Sequence, residues 1–583
     1  MITMTKSYNQ FIIRIDLDSN NILKDEIVEN HSYEFFAGRS LSSKIISEEV
    51  PPKCDPLGKE NKLIFATGFL TGTLAPNSGR ISIGAKSPLT EGIKESNTGG
   101  RAPAYLSQQS IRAIILQNKA KEWLVIEVKD SNCEIHNGEK YRGLNNIELS
   151  KRILNDFGQR VGAFTIGLAG EKLFLNASIA SLDMEGYPSR HAGRGGLGAV
   201  MGSKKVKAII IHPSSKLKIY YHDKLMFQNI SKKWFIELMQ TKKLFSKYGT
   251  SLGVAPMSQS HGLPTMNFRK GSFENVNGIS GEALHDYIIK YKGKFSVPCS
   301  SNCAIRCSNI IFDENGNHIT SSLEYETIGL NASNLMIRDI EHIAWINHYY
   351  EDFGIDSIEA GNTFAILMEA KKLNWGDWEK IIGILKGIKD DNPESLDIGL
   401  GCYRLGKKLG VKRIPHVKRQ GLPAYDPRSY KGMGITYATS PMGADHTAGP
   451  AIFNRRAYEK FDYKADQPWD PEFKVKLSKE LQIFIMIIDS MGLCYFVGPS
   501  YENTLRVADL LKARFGPRWN KSAEEWIEWS KKCLLMERDF NIRAGISEEE
   551  DKLPDFIETE PLEEIDRRWN IDKNEIKNFW KSF

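Results

Sequence analysis

A change of texture near His212 constrains the fold of this chain more than any single motif. Before it, short β-branched runs alternate with glycine-bearing turns: KLIFATGFLTG, RISIGAKS, IRAIILQN, WLVIEVKD, AFTIGLAG, KLFLNASIAS and KVKAIIIHP. Such runs between turn signals read as strands. After it, KLMFQNISKKWFIELMQTKKLFSKYG, RDIEHIAWINHYYEDFG and SIEAGNTFAILMEAKKLN place apolar residues at helical spacing, with Asp339 and Ser357 as N-caps. The predicted class is α+β, a β-rich N-terminal domain followed by two mostly α-helical domains. At 583 residues the chain is too long for one core. We divide it into 1–212, 213–420 and 421–583, the second boundary falling in the polar RQGLPAYD at residues 419–426. Within the first part, ENKLIFATG, a glycine loop with SGR and IRAIIL is echoed by GEKLFLNAS, a loop with AGRGGLG and VKAIII. The echo reads either as two similar β units paired around one ligand or as chance likeness of strand-rich segments.

Composition narrows the function classes. A formal charge of +6 on a chain this long is mild and gives no reason to expect nucleic acid or membrane as a partner. The N-terminal MITMTKSYNQFIIRIDLDSN has no apolar leader core, and no run is long enough to span a bilayer. A cytoplasmic protein is therefore expected. LQIFIMIIDSMGLCYFVG, broken by Asp489 and two glycines, reads as a buried helix running into a turn. EEEDKLPDFIETEPLEE, acidic and proline-broken, reads as a surface loop.

In PCSSNCAIRCS, Cys299, Cys303 and Cys307 lie four apart in a chain with eight cysteines in all. Thiolates suit zinc or iron–sulfur clusters. Structural zinc usually takes a second ligand pair further on, and none is near; three close thiols and one remote one suit a four-iron cluster. On a helix the spacing would drift only about 40° per step, leaving the sulfurs on one face. Cys494, after a buried-looking run and a glycine, is the best remote ligand. Cys54, Cys133, Cys402 and Cys533 read as small buried hydrophobes. The loops SNTGG and SRHAGRGGLGAVMGSKK, with Arg80, Arg190 and Arg194 in or near them, offer N–H groups and guanidinium to an anion. GRGGLG lacks the G-x-G-x-x-G register of a dinucleotide loop.

Taken in order, ENKLIFATGFLTGTLAPNSGRISIGAKSPLTEGIKESNTGG, GRGGLGAVMGSKKVKAI, LEYETIG, EDFGIDSIEAGN, ATSPMGADHTAG and DSMGLC resemble the aldehyde ferredoxin oxidoreductase family, tungsten enzymes with a bis-molybdopterin cofactor. The resemblance implies that the β-rich domain is the base for the cofactor, with the helical domains over it. It implies pterin contacts at Arg80, Asn97 and Gly99, at Arg190, His191, Gly193 and Arg194, and at Glu351, Ile355 and Asp356. Asp489 and Leu493 complete the set. Cys494 becomes the fourth thiolate of a [4Fe-4S] cluster held by Cys299, Cys303 and Cys307. It further implies tungsten or molybdenum, magnesium bridging the pterin phosphates, ferredoxin or a small iron–sulfur carrier subunit as acceptor, and a homodimer.

The same resemblance implies aldehyde oxidation to a carboxylic acid, with Glu326 the better and Glu324 the second candidate for activating water, and His446 hydrogen-bonding the aldehyde oxygen. By motif alone, both glutamates also read as helix-start charges and His446 as a loop histidine. The triplet departs from the family's usual C-x2-C-x3-C, being C-x3-C-x3-C. Glu351 stands where aspartate is common. Alternatives are a related tungsten or molybdenum reductase acting on an aromatic thioester or carboxylic acid, and a non-catalytic protein with a structural metal site.

Overall fold

The computed structural model describes residues 10–214, 219–452 and 467–583. The first nine residues, where the reading of a missing leader began, lie outside them. The predicted α+β architecture holds: strands dominate to residue 211 and helices thereafter.

The β-rich part is a structural repeat. Its first half comprises β1 (Gln10–Asp16), β2 (Asn21–Ile27), β3 (Leu63–Thr67), β4 (Ile81–Lys86), β5 (Ile93–Thr98) and β6 (Ile111–Gln117). The second comprises β7 (Leu124–Lys129), β8 (Asn132–Asn137), β9 (Gly162–Thr165), β10 (Ile179–Ser181), β11 (Arg190–Ala192) and β12 (Val206–Ile211). Their strand orders, β2-β1-β6-β3-β4-β5 and β8-β7-β12-β9-β10-β11, are the same. Each has one parallel pair, β1 with β6 and β7 with β12. Each half covers its outer face with one helix, Gly38–Glu49 or Asn146–Phe157, and packs its inner face on the other half. Phe65 of β3 meets Phe164 of β9, its counterpart, with ring centroids 5.2 Å apart. Strands buried on both faces need the near-continuous apolar runs seen in the sequence.

The sequence echo is therefore genuine at IRAIIL and VKAIII, which are β6 and β12, but its first pairing is displaced. KLFLNAS is not a strand: Leu173 has φ 58° in the turn after the short helix Leu168–Glu171, and the counterpart of β3 is β9.

In the helical part, Asp339 caps Ile340–Phe353 as expected, its carboxylate accepting from Glu341 N. The next helix, Ser357–Glu369, is capped by Asp356 rather than Ser357. The helix Lys474–Met491 is buried over its last two turns and ends at Gly492, φ 72°, before Cys494. Residues 420–431 are all buried. The acidic C-terminal stretch is not simply surface: Asp551 is buried between Lys418 and Arg538, each at 2.7 Å. Leu553 and Ile557 join the core. Among the described residues no helix is long and apolar enough to cross a membrane.

Candidate active site

The triplet joins two strands, Lys294–Val297 and Ser308–Phe312, through turns rather than a helix. Asn302 (φ 56°) and Arg306 (φ 53°) are left-handed, each immediately before a cysteine. The C-x3-C-x3-C spacing is thus two similar turns in series. Cys494 is brought to it by Asn77, a residue that sequence reasoning missed. The Asn77 carbonyl accepts from Cys494 N at 2.9 Å, and its side-chain oxygen accepts from Ala304 N at 2.9 Å. Arg80 Nη2 lies 3.9 Å from Cys494 Sγ. The Cys299 thiol is pulled well below the ordinary range, first because Cys303 hydrogen-bonds it, then by Arg80 and Arg190. That same bond, then burial, pushes Cys303 up; burial raises Cys307 and Cys494. The other four cysteines are scattered: Cys54, Cys402 and Cys533 are buried and Cys133 is half-buried on β8.

The segments at the ends of β5 and β11 are repeat equivalents, and both face one cavity of about 710 Å³, the first through Glu95–Thr98 and the second through Arg190, His191, Gly193 and Arg194. Gly100 N donates to Cys299 O at 2.9 Å, tying the first loop to the triplet. A Cβ on Gly99 would lie 2.9 Å from that carbonyl, whereas one on Gly193 would meet nothing within 4 Å. Arg80, Asn97, Arg190, His191, Gly193, Arg194, Glu351, Ile355, Asp356 and Asp489 all line the cavity, with the four clustered cysteines, Glu324, Glu326 and His446. Gly99 and Leu493 do not line it; Leu493 is packed in the core beside Met491.

Not every arginine here is available to an anion. Arg194 spends its guanidinium on protein: Nε on Asp356 at 3.3 Å, Nη2 on Gly421 O at 2.7 Å, and Nη1 on Ala444 O. Arg80 Nε, Arg190 Nε and His191 Nε2, by contrast, are buried without hydrogen-bond partners. So are Glu95 Oε1 and Thr98 Oγ1. Buried polar atoms seldom stay unsatisfied, and these lie on the wall of one cavity. They fit a large ligand with both donors and acceptors.

Charge partners missed in the sequence set the rim. Arg39, fully buried, holds Glu537 with bonds of 2.8 and 3.0 Å and reaches Asp489 at 3.3 Å. Asn97 Nδ2 donates to Asp489 at 3.4 Å. Burial lifts Asp489 to about 6, and burial plus the nearby Asp489 lift Glu95 to about 8. Burial pushes Glu351 well above the carboxylate range and His191 down to about 4. Lys94 reaches from β5 to Asp445 at 2.9 Å. Burial opposes ionisation of Asp445, but Lys94, Arg194 and His446 pull its carboxyl well below the usual range.

The two candidate glutamates separate by environment. Glu324 is bonded by the hydroxyls of Thr250 and Ser322. It is the N-cap residue of Tyr325–Asn331, without a capping bond of its own. Glu326 accepts from Ala424 N at 2.7 Å on one oxygen and turns the other to His446 Nδ1 at 3.5 Å. Neither that oxygen nor His446 Nδ1 has a hydrogen-bond partner. Burial raises both glutamates, and His446 and Arg194 oppose this at Glu326.

Comparison with known proteins gives one family. Residues 12–213 match the aldehyde ferredoxin oxidoreductase N-terminal domain, and residues 228–581 match domains 2 and 3 of the same family. The tungsten-containing aldehyde ferredoxin oxidoreductase of Pyrococcus abyssi is 33% identical over 95% of this chain and 92% of its own length. The aliphatic sulfonate oxidoreductase, WOR-like subunit, of Pyrococcus furiosus is 27% identical over 76% of each chain. The active site complex BamBC of benzoyl coenzyme A reductase shares the fold, with a TM-score of 0.79 and 18% identity over 99% of this chain and 93% of that one.

Proposed function

As this chain belongs to the aldehyde ferredoxin oxidoreductase family of oxidoreductases, we propose that it oxidises aldehydes to carboxylic acids with a tungsten bis-molybdopterin and a [4Fe-4S] cluster. The observation that carries the reading is the convergence on one cavity of four cysteines, the repeat-related ends of β5 and β11 and the Glu326–His446 pair. Asn97, Asp489 and Arg80 would hold one pterin, and Arg190, His191 and Asp356 the other. Cys299, Cys303, Cys307 and Cys494 would hold the cluster.

The balance is aldehyde plus water giving carboxylate, two electrons and three protons. A metal–pterin group and a cluster held there would supply two-electron redox chemistry and single-electron transfer to ferredoxin or a similar iron–sulfur carrier. The chain's own part is proton handling and orientation. Glu326 accepts a proton from the attacking water through the oxygen that faces His446. Its backbone bond to Ala424 N fixes the other oxygen, and burial raises its basicity. His446 donates to the aldehyde oxygen as charge grows there. Asp445, anchored by Lys94, keeps negative charge beside that histidine. Glu324, committed to two hydroxyls, is left as a support for the cysteine side.

Anaerobic assays of the purified protein with a viologen dye test the reading. Aliphatic and aromatic aldehydes should reduce the dye. Turnover of alkanesulfonates or dienoyl thioesters, with aldehydes inert, would move the protein to another branch of the family.

A further inference from the structure

The second sheet carries a group of ligand-type side chains that the cavity does not use. Glu127 on β7 and Glu134 on β8 are direct cross-strand partners, and His136 follows two residues on along the same face. Like charges placed directly opposite destabilise a strand pair. Among the described residues neither glutamate has an ion pair with lysine or arginine; their partners are histidines. His136 Nε2 lies 2.8 Å from Glu127 Oε2 and 4.0 Å from Glu134 Oε2. One ligand atom from each of the three falls within 4.8 Å of the others. From β12, just past Ile211, His212 brings Nε2 to 2.7 Å from the other Glu127 oxygen. That buried nitrogen makes no hydrogen bond in this position.

We propose that Glu127, Glu134 and His136 form a binding site for a first-row divalent cation of the zinc type on the outer face of the second sheet, with His212 orienting Glu127. One imidazole and two carboxylates are a donor set for zinc, while hard cations such as magnesium take oxygen ligands and keep their water. Ligating carboxylates are usually held in turn by an outer partner, and His212, 2.7 Å from the free Glu127 oxygen, is the side chain placed for that. The frame is rigid, because β7 lies between β12 and β8 in the sheet. The cation clamps edge strand β8, half of which is exposed, to its neighbour. None of the four residues lines the cavity, so the clamp acts on the fold rather than on the chemistry.

The test is zinc binding to chelator-treated holoenzyme, followed by calorimetry and zinc-edge absorption. The expected result is about one zinc per chain, with a nitrogen and oxygen shell near ~2.0–2.1 Å and no sulfur. Magnesium should not compete. His136→Ala and Glu134→Gln should each weaken binding at least tenfold while iron and tungsten content stay unchanged. Should His136→Ala fold poorly, Glu134→Gln decides, because that side chain is 75% exposed. Equal binding by wild type and both variants, or sulfur in the zinc shell, would overturn the site.

Discussion

The two halves of the β-rich part share strand order and covering helix yet present different chemistry to the cavity. The first half offers Arg80 and Glu95, whose carboxyl is lifted to about 8 by burial and by Asp489 of the helix Lys474–Met491, the aspartate that the buried Arg39 reaches. The second half offers Arg190, His191 and Arg194. Its arginines reach outward into the helical part, Arg190 to Ser308 and the Ser321 carbonyl, Arg194 to Gly421, Ala444 and Asp356. A repeat thus supplies one frame twice, and each loop is specialised by the helical segment it meets. Fold similarity between the halves says little about what each rim binds.

The strongest way to break this contrast is at the reacting pair on the second-half side. Glu326→Gln should lower kcat by roughly 10²–10⁴-fold, the usual worth of a positioned general base. Glu324→Gln, on the cysteine side, should cost less than about tenfold, since no proton transfer is assigned to it. Steady-state rates with aldehyde and viologen compare the two; equal losses would remove the distinction between the glutamates.

The arginines give the next contrast. Arg194→Met leaves Asp356 and two backbone carbonyls without their partner and should lower unfolding stability of the metal-free chain by about 3–5 kcal/mol. Arg80→Met loses a thiol contact at 3.9 Å and its pull on Cys299. No carboxylate is left unpaired, so a change within about 1 kcal/mol is expected, below the cost of breaking a buried pair. Urea melts of both variants check this.

A smaller effect concerns pH. Glu95 titrates at about 8 in the folded chain against an ordinary 4.5. Between those values the folded state holds a proton that the unfolded chain has released. Its contribution is therefore fully present at low pH and is lost as pH rises through that window. Glu95→Gln should flatten the fall in melting temperature of the metal-free protein between these values. An unchanged slope would place the proton elsewhere. Smallest in stability is Gly193→Ala, which meets open space and should melt like wild type. Its methyl enters the cavity, so pterin content should fall.

The site was more legible in the sequence than the forces that hold it. The cysteine triplet, the two glycine loops and the block around Asp489 could be read because their residues are close together along the chain. Arg39, Lys94, Glu95 and Asn77 could not. Each acts on a partner far away in sequence, such as Glu537 for Arg39, and nothing local marks the pairing. KLFLNAS misled because its composition suits a strand, while the turn at Leu173 is imposed by the preceding helix. Asp551 looked exposed for the same reason: Lys418, which buries it, is distant in the chain.

Metal content per chain tests the central claim most directly. The protein should be produced anaerobically in a tungsten-competent host and its tungsten, molybdenum, iron and zinc quantified. One tungsten and about four irons, the content of one thiolate-held cluster, are predicted, with iron lost in Cys494→Ala. Iron and tungsten absent, with zinc alone at the cysteines, would contradict the account.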